Sequence, residues 1–216
     1  MLSYILSRLV ALALSLVVAS LVIFVMIELV PGDPASFMLG LNAAPDTVAA
    51  LRAELGLGGS PVERYLRWVG GMLQGNFGTS YTYRAPVAEL VMARLAVSLP
   101  LALMALLLST LIAIPVGLYA ASRRGRPGDW SVMGLTQLGI AIPNFWFAMI
   151  LVVIFAINLR WFSAGGFPGW DQGIWPSLKA LTLPAVALAL PQASILARVM
   201  RSAVLEAVSY THLTLP

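Results

Sequence analysis

Residues 95–122 read LAVSLPLALMALLLSTLIAIPVGLYAAS, a run without one charged side chain. A helix rising about 1.5 Å per residue needs about 20 mostly apolar residues to cross a hydrocarbon core about 30 Å thick, and this run exceeds that. Three further stretches meet the same test: 9–27, 130–159 and 180–197. The whole 216-residue chain has 60% hydrophobic and 10% charged side chains and a mean hydropathy of +0.90, whereas soluble domains carry about 25% charged residues. So few charges cannot clothe a soluble globule in a polar shell. Soluble-enzyme and nucleic-acid-binding classes are disfavoured, and the composition predicts an all-α membrane protein with four spans. The chain has no cysteine, hence no disulfide framework, thiolate nucleophile or Cys-based metal site. His212 is its only histidine and makes no metal site alone.

The run at 9–27 follows Arg8 as a secretory leader would. It is longer than the leader's apolar region of about 7 to 15 residues, and no small-residue cleavage site follows it. It reads as a retained span. The net charge of +4, from 13 basic and 9 acidic residues, then carries topology rather than a ligand. Arg8 precedes the first span, Arg123, Arg124 and Arg126 separate the second and third, and Arg198 and Arg201 follow the fourth. These basic residues share one side, which the positive-inside rule makes cytoplasmic, with the N-terminus inside. The other side holds Arg160, Lys179 and the segment 28–94. That segment carries five arginines against six acids, and long loops are largely exempt from the charge rule.

The segment 28–94 is too patterned for a linker. After Glu28, the prolines and glycine of Pro31-Gly32-Asp33-Pro34 force the chain out of helix. Asp46 is an expected N-cap for a helix through Leu55, with Val48, Leu51 and Leu55 at helical spacing and Gly56 as its stop. A second helix is expected from Pro61, carrying Val62, Tyr65, Leu66, Val69 and Met72 on one face. The turn-rich Gly75-Asn76-Phe77-Gly78-Thr79-Ser80 follows, and 85–94 leads helically into the second span. Together they predict a small helical cap outside the membrane. No stretch has strand alternation, and there is neither an internal repeat nor a nucleotide-binding P-loop, so ATP hydrolysis is not expected of this chain.

Spans two to four contain no Asp, Glu, Lys, Arg or His. Carriers driven by protons or ions usually couple through intramembrane ionisable groups, so this absence disfavours them. Glu28, at the end of the first span, reads as an interfacial carboxylate. The polar content is Thr136, Gln137, Asn144, Asn158, Gln192 and Ser194, which either line a pathway or hydrogen-bond between helices. Pro100, Pro115, Pro143, Pro184 and Pro191 each remove a backbone donor and kink the helix. Ala185, Ala189, Ala193 and Ala197 place small side chains along one face and predict close helix packing.

Several motifs then fall into one order: Pro31-Gly32-Asp33-Pro34; Leu55-Gly56-Leu57 with Pro61, Tyr65 and Trp68; residues 75–80; Ile114-Pro115-Val116-Gly117; Pro143-Asn144-Phe145-Trp146; Leu183-Pro184-Ala185; and Arg198-Val-Met-Arg201-Ser202 with Leu205-Glu206. Over residues 1–208 this order resembles the inner-membrane permease subunit of dipeptide, oligopeptide and nickel ABC importers. The resemblance implies a type I ABC importer permease, with four of its expected six membrane helices here. It implies a homologous second permease, two cytoplasmic ATPase subunits, an extracytoplasmic solute-binding protein and membrane lipid as partners. No cofactor is expected in this chain, ATP being bound by the partner subunits, and the expected location is the inner membrane of a bacterial or archaeal cell.

The resemblance also implies roles. Arg198, Arg201, Ser202, Leu205 and Glu206 match the lead-in to the coupling helix, which in that family lies in the loop after the fourth span and engages the ATPase. Pro143, Asn144, Phe145, Trp146 and Gln192 are pathway candidates, residues 143–146 reading equally as a rigid aromatic kink. Pro31, Gly32, Asp33, Pro34, Gly75, Asn76 and Gly78 are assigned to the binding-protein side, where 75–80 reads equally as a plain turn. The expected segments are 1–30 for the first span, 31–94 for the cap, and 95–208 for the remaining spans and the start of the coupling region. The tail 209–216 departs from the family pattern and reads as foreign. A fragment of a secondary carrier and a structural membrane protein that transports nothing also fit the composition.

Overall fold

The computed structural model describes residues 1–29, 32–40 and 43–213, with the backbone alone at 2 and 210–213. It is helical almost throughout. No strand forms among the described residues, whose extended pairing is an isolated antiparallel bridge from Thr79 to Pro86. The chain divides into two compact units, Met1–Arg94 and Leu95–Pro216.

The first unit contains α1 (Leu2–Leu29), α2 (Pro34–Leu39), α3 (Pro45–Glu54) and α4 (Pro61–Leu73). Helix α1 has 28 residues, about 42 Å of length, and none of its most apolar window is buried. Its aliphatic surface therefore requires lipid or another chain as its surroundings. Helix α4 begins at Pro61 as expected, with Ser60 and Glu63 forming a reciprocal capping box. Helix α3 begins earlier than expected. Ala44, not Asp46, is the cap residue; Pro45 takes the first helical position, where its missing N–H costs nothing. Asp46 sits in the first turn, favourably placed at the positive end of the helix. Helix α2 was not anticipated, because the prolines of 31–34 were read only as breakers. Asp33-Pro34 is also a start signal: the Asp33 carboxylate accepts from the Ser36 N–H, and Pro34 opens the helix.

Helix α5 (Val87–Ser122) carries residues of both units and starts just after the Thr79–Pro86 bridge. The second unit continues with α6 (Pro127–Ala141), α7 (Asn144–Leu151), π-helical turns over Val152–Asn158, a short 3-10 turn at Trp170–Gln172, and α8 (Ile174–Leu213). Helices α5 and α8, with 36 and 40 residues, are about 54 and 60 Å long, well beyond the hydrocarbon thickness. Among the described residues three helices are long and apolar enough to cross a membrane, and a bent pair makes four if it is one span. The expected third span, 130–159, is broken rather than continuous: α6 and α7 with its π-helical turns meet at a bend of 96°. Pro143 offers no N–H and forces Ile142 into an extended conformation, with ψ 125°, so the backbone leaves helix rather than merely kinking.

Helix α8 is the spine of this unit and packs against both α6 and α7. Ala185, Ala189, Ala193 and Ala197 are all buried, as their spacing predicted. Small residues opposite let backbones approach closely. A Cβ on Gly117 of α5 would lie 2.7 Å from the Met200 Cβ and 2.8 Å from the Ala197 carbonyl oxygen, and one on Gly139 of α6 would overlap the Ser194 hydroxyl. Farther along α8, Leu183 and Ala187 join Leu151 and Ala156 in an apolar core, packed by Phe147, Phe155 and Phe162.

The prolines inside the helices create a second demand. Pro100 cannot donate to the Ala96 carbonyl one turn back. The indole Nε1–H of Trp170 donates to that oxygen at 2.7 Å, satisfying a group that lipid could not. Two outcomes follow for thermal unfolding of the purified chain in lipid nanodiscs, read by circular dichroism. Trp170→Phe, which orphans the Ala96 carbonyl, costs about 1 to 3 kcal/mol. Gly117→Val costs about 1 to 3 kcal/mol or more through overpacking, while Gly134→Ala, with nothing within 4 Å of the added Cβ, is neutral or slightly stabilising. Equal effects at Gly117 and Gly134 would contradict the packing described.

Candidate functional site

Two clusters and one break gather most of the residues singled out in the sequence. In the first unit, a stripe on α1 meets α4. Ser20, Phe24 and Glu28 recur every fourth residue and so share one face of the helix. The Ser20 hydroxyl lies 2.9 Å from the Tyr65 hydroxyl, the Phe24 ring packs edge-on to Tyr65 at 5.4 Å between centroids and tilted to Trp68 at 6.1 Å, and Glu28 pairs with the Arg64 guanidinium. Arg64 also donates to the Leu57 carbonyl at 2.9 Å, and Arg67 to the Gly56 carbonyl at 2.8 Å. Glu28 is therefore a structural partner of α4, consistent with an interfacial carboxylate.

Asp33 ties α2 to α3. One carboxylate oxygen accepts from the Ser36 hydroxyl at 2.7 Å and the Ser36 N–H at 3.1 Å, while the other accepts from Arg52 at 3.1 to 3.3 Å. These bonds, the Ser36 hydroxyl foremost, hold the Asp33 carboxyl below its ordinary range. Between these elements lies an open groove of about 1070 Å³. Gly32, Asp33, Pro34, Asn76 and Gly78 line it, so five of the seven residues assigned to the binding-protein side are brought together. Gly75 sits in the adjoining turn with φ +79°, a left-handed conformation that suits glycine. Pro31 lies outside the described residues. The Asn76 side chain accepts from the Gly78 N–H at 3.0 Å, giving 75–80 the turn its composition predicted.

In the second unit, one carboxylate joins the 123–126 connection to the end of α8. Asp129 is almost fully buried, at 3% exposure. Its Oδ1 accepts from Arg201 Nε at 2.6 Å, and its Oδ2 accepts from the second Arg201 nitrogen at 2.7 Å and from the Gly125 N–H at 3.0 Å. Such a two-pronged pair fixes geometry as well as charge. Nearby, Arg198 donates to the Gln137 amide oxygen at 3.0 Å. Ser202 and Glu206 are exposed on the same helix. The coupling lead-in follows the fourth span without a break: α8 runs from Ile174 to Leu213, since no proline or glycine lies between Arg198 and Glu206.

At the break, Pro143 is the cap residue of α7 and provides no side-chain cap. The first N–H groups of α7 have no acceptor one turn back. Asn144, Phe145 and Trp146 are exposed around them, as are Pro143 and, on α8, Gln192. Of the other polar span residues, Thr136 and Ser194 donate to carbonyls of their own helices, Met133 and Leu190. Sequence reasoning missed Asp129 because only basic residues were counted around the spans. The signal was available: it is the lone acid in Arg123-Arg124-Gly125-Arg126-Pro127-Gly128-Asp129.

Long apolar helices, a broken span and arginine-rich helix ends define a multi-span, all-α membrane protein. Family models agree and are more specific. The N-terminal model of the binding-protein-dependent transport system membrane component matches residues 1–102, and the model of the binding-protein-dependent transport system inner membrane component matches residues 113–215. The chain belongs to this family of inner-membrane transport components. A putative peptide transport system permease protein of Brucella suis is 37% identical over 193 residues, covering 88% of this chain and 61% of the relative. An oligopeptide transport system permease protein of Bacillus subtilis is 35% identical over the same shares. A glutathione transport system permease protein of Salmonella paratyphi A is 34% identical over 97% of this chain and 66% of the relative. The chain spans 61 to 66% of the length of these relatives.

The Asp33 bonds make the α2–α3 junction acid-sensitive. Its carboxyl titrates below the unfolded value of 3.8, so the stabilisation is complete above that pH and is lost as pH falls through the folded value. Protection of the Ser36 amide, measured against its intrinsic exchange rate, is expected to fall on acidification in the wild type. In Asp33→Ala, which removes the acceptor, protection should already be low at neutral pH and lose its acid step; an unchanged acid step would refute the assignment.

Proposed function

We propose that this chain is a permease subunit of an ABC importer, contributing half of the pathway that carries peptides or a related small solute across the inner membrane. The observation that carries the proposal is the match to both family models, in order, along almost the whole chain. Relatives named for peptide, oligopeptide and glutathione transport support an amide-bearing solute. The subunit performs no chemistry on the solute and is not an enzyme.

In this proposal ATPase subunits in the cytoplasm supply the energy, a homologous second permease supplies the other half of the pathway, and an extracytoplasmic solute-binding protein delivers the cargo. The N-terminus is cytoplasmic, as are the 123–126 connection and the end of α8. The segment 31–94 lies outside, and its groove around Asp33 and Asn76 faces the binding protein. The break at 142–143 belongs to the pathway. Backbone that leaves helix at membrane depth is tolerated only where protein or a water-filled cavity surrounds it, and the uncapped amides of α7 are then available to polar solute groups. Ser202, Leu205 and Glu206 face the ATPase, and its movement rocks the two permeases between inward- and outward-open states.

The test uses the full-length permease with its neighbouring permease, ATPases and binding protein in proteoliposomes. Uptake of a radiolabelled dipeptide is expected to require ATP and the binding protein and to survive a proton ionophore. Uptake abolished by the ionophore, or none with ATP, would overturn the proposal. Alkaline phosphatase fused near Pro61 should be active in cells and inactive when fused near Gly125.

A further inference from the structure

Three features of the second unit lie in sequence along one pair of helices. At the far end of α8, Arg201 grips Asp129, the third residue of α6, through both carboxylate oxygens. Closer in, Arg198 donates to Gln137. Closer still, Ser194 packs directly against Gly139, where an added Cβ would meet its hydroxyl. As α8 is followed backward from 201 through 198 to 194, α6 is followed forward from 129 through 137 to 139. The two helices are therefore zipped antiparallel, and the zip ends two residues before α6 stops at Ala141 and the backbone bends by 96°.

The chemistry of the end clamp separates it from the rest of the zip. Small-residue packing also brings α6 and α8 together, as at Gly139 and Ser194. Apolar packing allows sliding by a fraction of a turn, whereas a planar guanidinium on a carboxylate fixes one register. Asp129 also accepts from the Gly125 N–H, so one buried carboxylate holds the 123–126 connection, the start of α6 and the end of α8 at a single point. Burying such a charge has a desolvation cost that apolar residues would avoid, which is a reason to look for a role in specificity rather than stability. Ser202, Leu205 and Glu206 follow immediately on the same unbroken helix.

We propose that Asp129 is a positioning residue of the energy-coupling step: it locks the helix carrying residues 202–206 to the start of α6, so that a displacement delivered there is passed along α6 to the bend at 142–143. The proposal rests on the permease function above. Asp129 touches neither solute nor ATPase; it makes α6 move with α8. With the clamp broken, α8 slides or twists against α6 through its small-residue contacts, and the bend no longer follows.

The test is the ratio of peptide transported to ATP hydrolysed by the reconstituted full-length complex. Asp129→Asn keeps side-chain size and removes the charge that Arg201 grips. It is expected to assemble and hydrolyse ATP while the transport ratio falls by about three- to thirtyfold. Asp129→Glu should recover part of the ratio. The exchange Asp129→Arg with Arg201→Asp guards against a folding loss, since a re-formed pair should raise the ratio above that of Asp129→Asn. A wild-type ratio in Asp129→Asn would overturn the proposal, as would transport and hydrolysis falling together in proportion to assembled complex, which marks a purely structural role. Wild-type complex that hydrolyses ATP without moving peptide would instead overturn the permease function and this proposal with it.

Discussion

A lipid interior offers no partner to a backbone N–H or C=O, and nearly every feature of this chain answers that constraint. Its spans are helices because only a helix satisfies the backbone within its own segment. Where a proline breaks the ladder, another group must take over. At Pro100 the indole of Trp170 reaches the freed Ala96 carbonyl. At Pro143 the chain leaves helix altogether, and the amides at the start of α7 stay uncapped beside exposed Asn144 and Trp146. The first solution closes a gap in a wall. The second leaves the first amides of α7 without a side-chain cap.

Cohesion inside the membrane cannot come from burying apolar surface, because lipid tails are as apolar as leucine. The second unit relies instead on close approach. Buried alanines line α8, and Gly117 and Gly139 lie so near it that an added methyl group would meet Met200, the Ala197 carbonyl or Ser194. Helix α1 has no comparable packing and leaves its aliphatic surface outward. Its stripe of Ser20, Phe24 and Glu28 is given to Tyr65, Trp68 and Arg64 of α4. The Asp129–Arg201 clamp adds what small residues lack, a directional contact that fixes register.

Much of this was written in the sequence. Apolar length gave α1, α5 and α8, Pro61 gave the start of α4, and four-residue spacing gave the buried alanine face, because these depend on neighbours a turn or two away. Motif order carried the family resemblance, which the family models bear out. Local reasoning failed where two local signals competed. Asp33-Pro34 reads as a breaker yet starts a helix, and Pro45 outranks Asp46 as a helix start.

Long-range partners were beyond the sequence. Nothing in the spacing of Asp129 and Arg201, 72 positions apart, says that they meet, and the same is true of Trp170 and Ala96. A proline at 143 allows anything from a gentle kink to a full break; the outcome, 96°, depends on α7 and its π-helical turns finding a core against Leu183 and Ala187. Local free energies set which residues become helix. The angles between helices and the pairing of their polar groups are settled by packing, which one strand of letters does not contain.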